Sequence, residues 1–326
     1  MSDCSMVNVS IIIPVYRVGE YIERCIVSVL SQTYQDIECI IVDDATPDNS
    51  IELCKKLIAA YQGPISFKFV CHTENRGLSV ARNSGLYAAT GEYVYFLDGD
   101  DEITSDCIEK LVRSVIEDHT TDVVQGNYIY SPLKGERHYK WDDKCVVGNG
   151  QIRDIFFKRK QIPVTAWNKL IRRDFLIDHH LEFEEGLLFE DILWSFCMMK
   201  YVEKLYLVSD VTYVYYKRKA SIKDATNQAK VIKHYGYIYK SIVENLTVGS
   251  ELMEVHHFSH GFCLMYIEGA EDDNFQYVHR RFMELMKSEG FSKDLLLMVF
   301  IHFLSKRRWT RWLTKKIKRR IYGAFC

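Results

Sequence analysis

At 326 residues, 48% hydrophobic and 26% charged, the chain has the composition of a globular protein of about two domains, with enough apolar material for a sizeable core. The formal charge of −2 hides an asymmetry: Lys306 to Arg320 holds nine of the 42 basic residues and no acidic one, leaving 33 basic against 44 acidic elsewhere, a net of −11. An acidic body with one basic tail argues against a general nucleic-acid-binding surface and for a single localised electrostatic contact.

From the N-terminus, Val9 to Val15 reads as a buried strand; it is too short, and carries Pro14 too early, for the apolar core of a secretory signal, so a cytoplasmic chain is expected. Tyr21, Ile22, Cys25, Ile26, Val29 and Leu30 then share one helical face. Strands follow at Ile37 to Val42, Phe67 to Cys71 and Tyr93 to Leu97, separated by helices over Asn49 to Tyr61 and Leu78 to Ala89. Strand starts spaced by about 28 residues predict successive right-handed βαβ units, hence an α/β fold with a mainly parallel, Rossmann-like sheet. Past residue 115 the rhythm changes to mixed strands and loops, including an aromatic cluster at Tyr128 to Tyr139, and past Ala225 it becomes mainly helical. The expected domains are 1–115, 116–225 and 226–326. The ten cysteines lack Cys-x-x-Cys or zinc spacing and read as free core thiols. Leu295 to Leu304, interrupted by His302, falls short of the roughly 18 to 20 apolar residues that span a bilayer.

Ligands of such sheets sit beyond the carboxyl ends of the strands. The residues there are polar: Pro14-Val-Tyr16-Arg17, Asp43-Asp44-Ala-Thr46, His72 to Gly77, and Asp98-Gly99-Asp100-Asp101. Carboxylates one residue apart on a turn can converge on a hard divalent cation that bridges diphosphate oxygens, and Gly99 keeps the approach open. Asp and Gly also favour plain surface turns. What tips the balance is that Asp43, Asp44, Arg76 and Arg82 follow neighbouring strands or open the next helix and converge on the same cleft, where cations and helix-start amides can meet a diphosphate.

The segments Val9 to Tyr16, Ser28 to Thr33, Ile41 to Ser50, Asn75 to Asn83 and Gly91 to Asp101 together resemble glycosyltransferase family 2, with its GT-A fold. The resemblance resumes at Trp167 to Leu170, Phe189 to Trp194 and Tyr213 to Ile222, and Arg17 departs from the Asn often found after the tyrosine. It implies an inverting transferase that uses a nucleotide-sugar donor, with Tyr16 on the base, Asp44 at its imide edge, suggesting uridine, and Pro14 and Asp43 beside them. Asp98 would contact ribose or metal, Asp100 would ligate Mn2+ or Mg2+, and Arg82 would hold diphosphate or base. Glu190-Asp191 resembles the acidic pair that supplies the general base, with Asp191 favoured; a sugar hydroxyl needs such a group because it is a poor nucleophile at neutral pH. The same two residues could simply cap a helix. Tyr216 to Ile222 resembles a late segment in which Arg218 and Ser221 close over the diphosphate, although an exposed charge run has the same composition. Trp167 and Lys169 are placed on the acceptor wall, with core packing the alternative for Trp167.

Lys306 to Arg320 interleaves Trp309, Trp312, Leu313 and Ile317 with its cations, the pattern of an in-plane anchor on anionic lipid. This favours the inner face of the cell membrane and a glycan or lipid-linked oligosaccharide acceptor over an RNA-touching tail. A Rossmann dehydrogenase lacks support because Pro14 to Gly19 carries no Gly-x-Gly-x-x-Gly. An aspartate-nucleophile phosphohydrolase would place its Asp-x-Asp after the first strand. A non-catalytic sugar-nucleotide-binding protein would keep Asp44 and Asp100 and need no base.

Overall fold

The computed structural model describes residues 7–116, 118–131, 138–159, 161–217 and 228–245, with Asn274 and Tyr277. Arg218, Ser221 and Lys306 to Arg320 lie outside the described residues. The chain divides into two compact units, Met1–Ala225 and Thr226–Cys326.

In the first unit the elements alternate as the spacing predicts: β1 (Val9–Val15), α1 (Ile22–Leu30), β2 (Ile37–Asp43), α2 (Ser50–Ala59), β3 (Ser66–Cys71), α3 (Leu78–Ala88) and β4 (Tyr93–Phe96). There follow β5 (Glu102–Ile103), α4 (Cys107–Val112), β6 (Val123–Ser131), β7 (Lys144–Val147) and α5 (Asn149–Arg153), the last running into a π-helical turn at Asp154–Lys158. The unit ends with β8 (Lys169–Arg172), α6 (Arg173–Asp178), α7 (Glu190–Met198) and the long β9 (Lys204–Tyr216). The described part of the second unit is mainly helix α8 (Gln228–Glu244). No helix among the described residues is long and apolar enough to cross a membrane.

One sheet runs in the order β3-β2-β1-β4-β8-β6-β9-β5, with β7 also paired to β9. The four strands β3, β2, β1 and β4 are parallel, as βαβ units require. Beyond β4 the sheet becomes mixed: β8 is antiparallel to both β4 and β6, whereas β6 and β9 run parallel.

β1 is buried along its whole length because both faces are covered. Val9, Ile11 and Ile13 pack with Ile22, Cys25, Ile26 and Val29 of α1. On the other face α3 lies so close that a Cβ at Gly85 would fall 2.3 Å from the Ile12 side chain, so only glycine lets this helix reach the sheet. Proline normally disrupts a central strand because it has no N–H to donate. Here Pro14 stands two residues past Ile12–Phe96, the last β1–β4 pair, so it opens the sheet where β1 and β4 diverge. The cysteines described in the chain are free, and Cys25, Cys39, Cys54 and Cys107 are buried as expected of core thiols.

Candidate active site

The divergence of β1 and β4 admits the loop Asp98 to Asp101. A Cβ on Gly99 would come within 3.2 Å of the Pro14 carbonyl and 3.3 Å of Val18, so the absence of a side chain lets the acidic turn lie against the end of β1. Asp98, Asp100 and Asp101 each present a carboxylate oxygen, all within 4.8 Å of one another. Asp101 is buried and fastened to β9: its two oxygens accept hydrogen bonds from the Tyr213 hydroxyl (2.7 Å) and the Tyr216 backbone N–H (2.8 Å). Burial first, and then the Asp100 and Asp98 charges, push the Asp101 carboxyl up to about 8.

Arg82 links this turn to the acidic pair 108 positions further along the chain. Its guanidinium is buried, with one arm donating to Asp98 at 2.9 Å and the other to Glu190 at 2.5 Å. Despite burial, the Asp98 and Glu190 charges hold it firmly protonated, its pKa raised above the ordinary arginine value. The spacing that places Asp98 and Arg82 on adjacent strand and helix ends is readable in the sequence; the arrival of Glu190 from α7 is not.

Glu190 is therefore committed to an ion pair, whereas Asp191 beside it is only half-buried. Desolvation first and the Glu190 charge second push Asp191 up to about 7, with Arg82 opposing. Phe189, immediately before the pair, is in the left-handed region at φ 61°. So is Asn168 at 61° before β8, and Arg17 and Ala45, just beyond β1 and β2, lie at φ 51° and 52°. Non-glycine residues seldom adopt this conformation, and such strain gathers at functional sites.

Lys169 is fully buried, its ammonium donating to the Pro163 (3.0 Å) and Thr165 (2.5 Å) carbonyls. Burial lowers it to about 7, with the Asp191 charge opposing. In the folded sheet this side chain, expected on the acceptor wall, points into the protein. Trp167 is also mostly buried, stacked on Tyr213 at 4.4 Å between centroids.

Asp44, expected at the nucleobase edge, lies just beyond β2. It is buried, and its oxygens accept from His72 Nδ1 (2.7 Å), Arg76 N (2.8 Å) and Gly77 N (2.8 Å), bracing the loop that starts α3. Asp43 accepts the Thr46 amide at 3.0 Å in a local turn. Arg76 is exposed and pairs with exposed Glu185 at 3.5 Å. Tyr16 projects at the end of β1, 38% exposed, with the Arg17 guanidinium 5.4 Å from its ring centre.

One contributor had no clear mark in the sequence. Arg24 of α1 donates to the Asp100 carbonyl and lies 3.7 Å from the Tyr216 ring centre, tying the acidic turn to the end of β9. A basic residue on an amphipathic helix gives no sign of such a partner.

The chain carries an acidic turn at the end of its parallel strands, bridged through Arg82 to the acidic pair at the start of α7. It belongs to the family described as Glycosyl transferase family 2, whose pattern matches residues 10–179, just over half of the chain. It is 32% identical over 225 residues to glycosyltransferase GlyG of Streptococcus pneumoniae serotype 4, covering 66% of this chain and 72% of that protein. Glycosyltransferase GlyA of the same organism is 30% identical over 228 residues, and there the match spans 66% of this chain but only 31% of the relative. Among solved structures, TarS 1-349 of S. aureus in complex with UDP-GlcNAc superposes with TM-score 0.61 at 21% identity, covering 92% of this chain and 79% of that one. Mannosyltransferase PcManGT of Pyrobaculum calidifontis, in complex with GDP-Man and Mn2+, gives TM-score 0.57 at 15% identity over 98% of this chain and 87% of that one. At these identities the structural likeness shows the fold.

Proposed function

We propose that this family 2 transferase moves a sugar from a uridine diphosphate donor to a glycan hydroxyl with inversion, dependent on a divalent cation. The observation that carries the reading is the Arg82 bridge, which joins the donor-side carboxylate Asp98 and the acidic pair at the start of α7 through one buried guanidinium.

Asp98, Asp100 and Asp101 would hold the cation, and when bound it would neutralise charge on the diphosphate. Tyr16 offers an open ring to the nucleobase. Asp191 takes the proton of the acceptor hydroxyl as that oxygen attacks the anomeric carbon opposite the leaving diphosphate, which inverts the configuration. Glu190, neutralised by Arg82, holds the bridge in place, while Arg218 and Ser221 are proposed to close over the donor. The wider reading is a role in surface polysaccharide synthesis on the cytoplasmic membrane face, reached through Lys306 to Arg320. It draws support from the basic tail. The alternative, sugar-nucleotide binding without catalysis, leaves the raised and half-open Asp191 without a task.

The test is nucleotide release from a panel of UDP- and GDP-sugars with mixed oligosaccharides, followed by proton NMR of the product's anomeric coupling. UDP-sugars are expected to turn over with inversion, and EDTA to slow release by about 100-fold or more, as loss of a main electrostatic stabiliser does. Retained configuration, or turnover indifferent to EDTA, would count against the reading.

A further inference from the structure

The aromatic residues between Tyr128 and Tyr139 take no part in the donor site, yet the sheet gathers them beside it. β6 and β9 run parallel in the register Tyr128–Tyr213 and Tyr130–Tyr215, so these four tyrosines fall on one face of the pair. The inner end of the row is buried: Tyr213 hydrogen-bonds Asp101, and Trp167 stacks on Tyr213 at 4.4 Å and on Tyr215 at 5.7 Å. The outer end is open. Tyr130 is 50% exposed, its ring 5.6 Å from Tyr215 and 5.5 Å from the exposed His138, which itself stacks on Tyr128 at 4.5 Å. Through the Tyr213 hydrogen bond to Asp101, the row leads from the acidic turn to solvent.

We propose that Tyr130, Tyr215 and His138 form an acceptor shelf that receives a sugar ring of the acceptor glycan; the inference rests on the transferase reading above. A pyranose presents one face of C–H groups, weakly positive, which suits the negative face of an aromatic ring, and hydroxyls around its rim, which suit Tyr and His polar edges. Among the described residues the shelf is built of tyrosine and histidine, whose polar edges suit a sugar better than an acyl chain. Its rings are fixed by packing on Trp167 and Tyr128, so little rotamer freedom is lost on binding.

The experiment applies the full chain to an array of defined mono- to hexasaccharides, alongside UDP binding with Mn2+, for wild type, Tyr130→Ala and Tyr130→Phe. The wild type is expected to retain at least one glycan. Tyr130→Ala should weaken that glycan about tenfold or more, the size of one stacking contact, and Tyr130→Phe, which keeps the ring, should stay within about threefold. UDP binding should match in all three. A wild type that binds UDP but no glycan overturns the shelf, as does Tyr130→Ala holding the glycan as wild type does, or octanol competing as well as octyl glucoside. Absence of UDP binding in the wild type overturns the transferase reading, and the shelf with it.

Discussion

Asp191→Asn is expected to lower sugar transfer by about 100- to 10,000-fold, the range a positioned general base contributes, while leaving nucleotide binding intact. The pH behaviour gives the claim a second, independent reading. Asp191 sits near 7 in the ligand-free protein, so wild-type kcat/KM should climb as pH rises through about 7, because only the ionised carboxylate accepts the hydroxyl proton. In Asp191→Asn the residual rate should lose that limb.

Stability must move the opposite way. The folded pKa of Asp191 lies above its ordinary value of 3.8, so between those values the folded state binds the proton that the unfolded state has released, and stability falls as pH rises. The favourable contribution is complete below the unfolded pKa and is gone once pH passes about 7. Asp191→Asn, free of this penalty, should melt above wild type at pH 8, with the gap narrowing as pH is lowered. A variant less stable than wild type at pH 8 would show that the carboxylate is structurally required and weaken the assignment of Asp191 as base.

The second large effect is at Arg82. Replacing it with Met removes the cation from two carboxylates that the fold holds in place, and breaking a buried pair from one side costs about 3–5 kcal/mol, measurable by urea unfolding. Turnover should disappear with it. Arg82→Lys should recover little of either, since a single ammonium cannot reproduce the two-armed fork that reaches Asp98 and Glu190 together. Adding Glu190→Gln to Arg82→Met should restore part of the stability and none of the activity. Additive losses in that double variant would contradict the bridge.

The nucleotide-side half of the fold was legible because each strand there is a short apolar run ended by polar residues, and parallel βαβ order follows from spacing alone. The Asp98 to Asp101 turn was legible for the same reason. Lys169 was not: a lysine in a polar motif reads as exposed, and only the packing of β8 shows its ammonium satisfied by Pro163 and Thr165 carbonyls. Asp44 shows the complementary limit, since its commitment to His72 and the 76–77 amides depends on how the β3–α3 loop folds back. The tyrosine row depended on the β6–β9 register, which shifts at Gln125 to Tyr128; a shift of one residue moves every later side chain to the opposite face, and such irregularities leave little trace in sequence.

The central claim is a cation-dependent nucleotide site held by the acidic turn and faced by a separate base. Its most direct test is calorimetric titration of UDP into wild type, Asp100→Ala and Asp191→Asn, each with Mn2+ and with EDTA. The account predicts Mn2+-dependent binding in wild type and Asp191→Asn, lost in Asp100→Ala. UDP binding that survives EDTA and Asp100→Ala, or that disappears in Asp191→Asn, would contradict it.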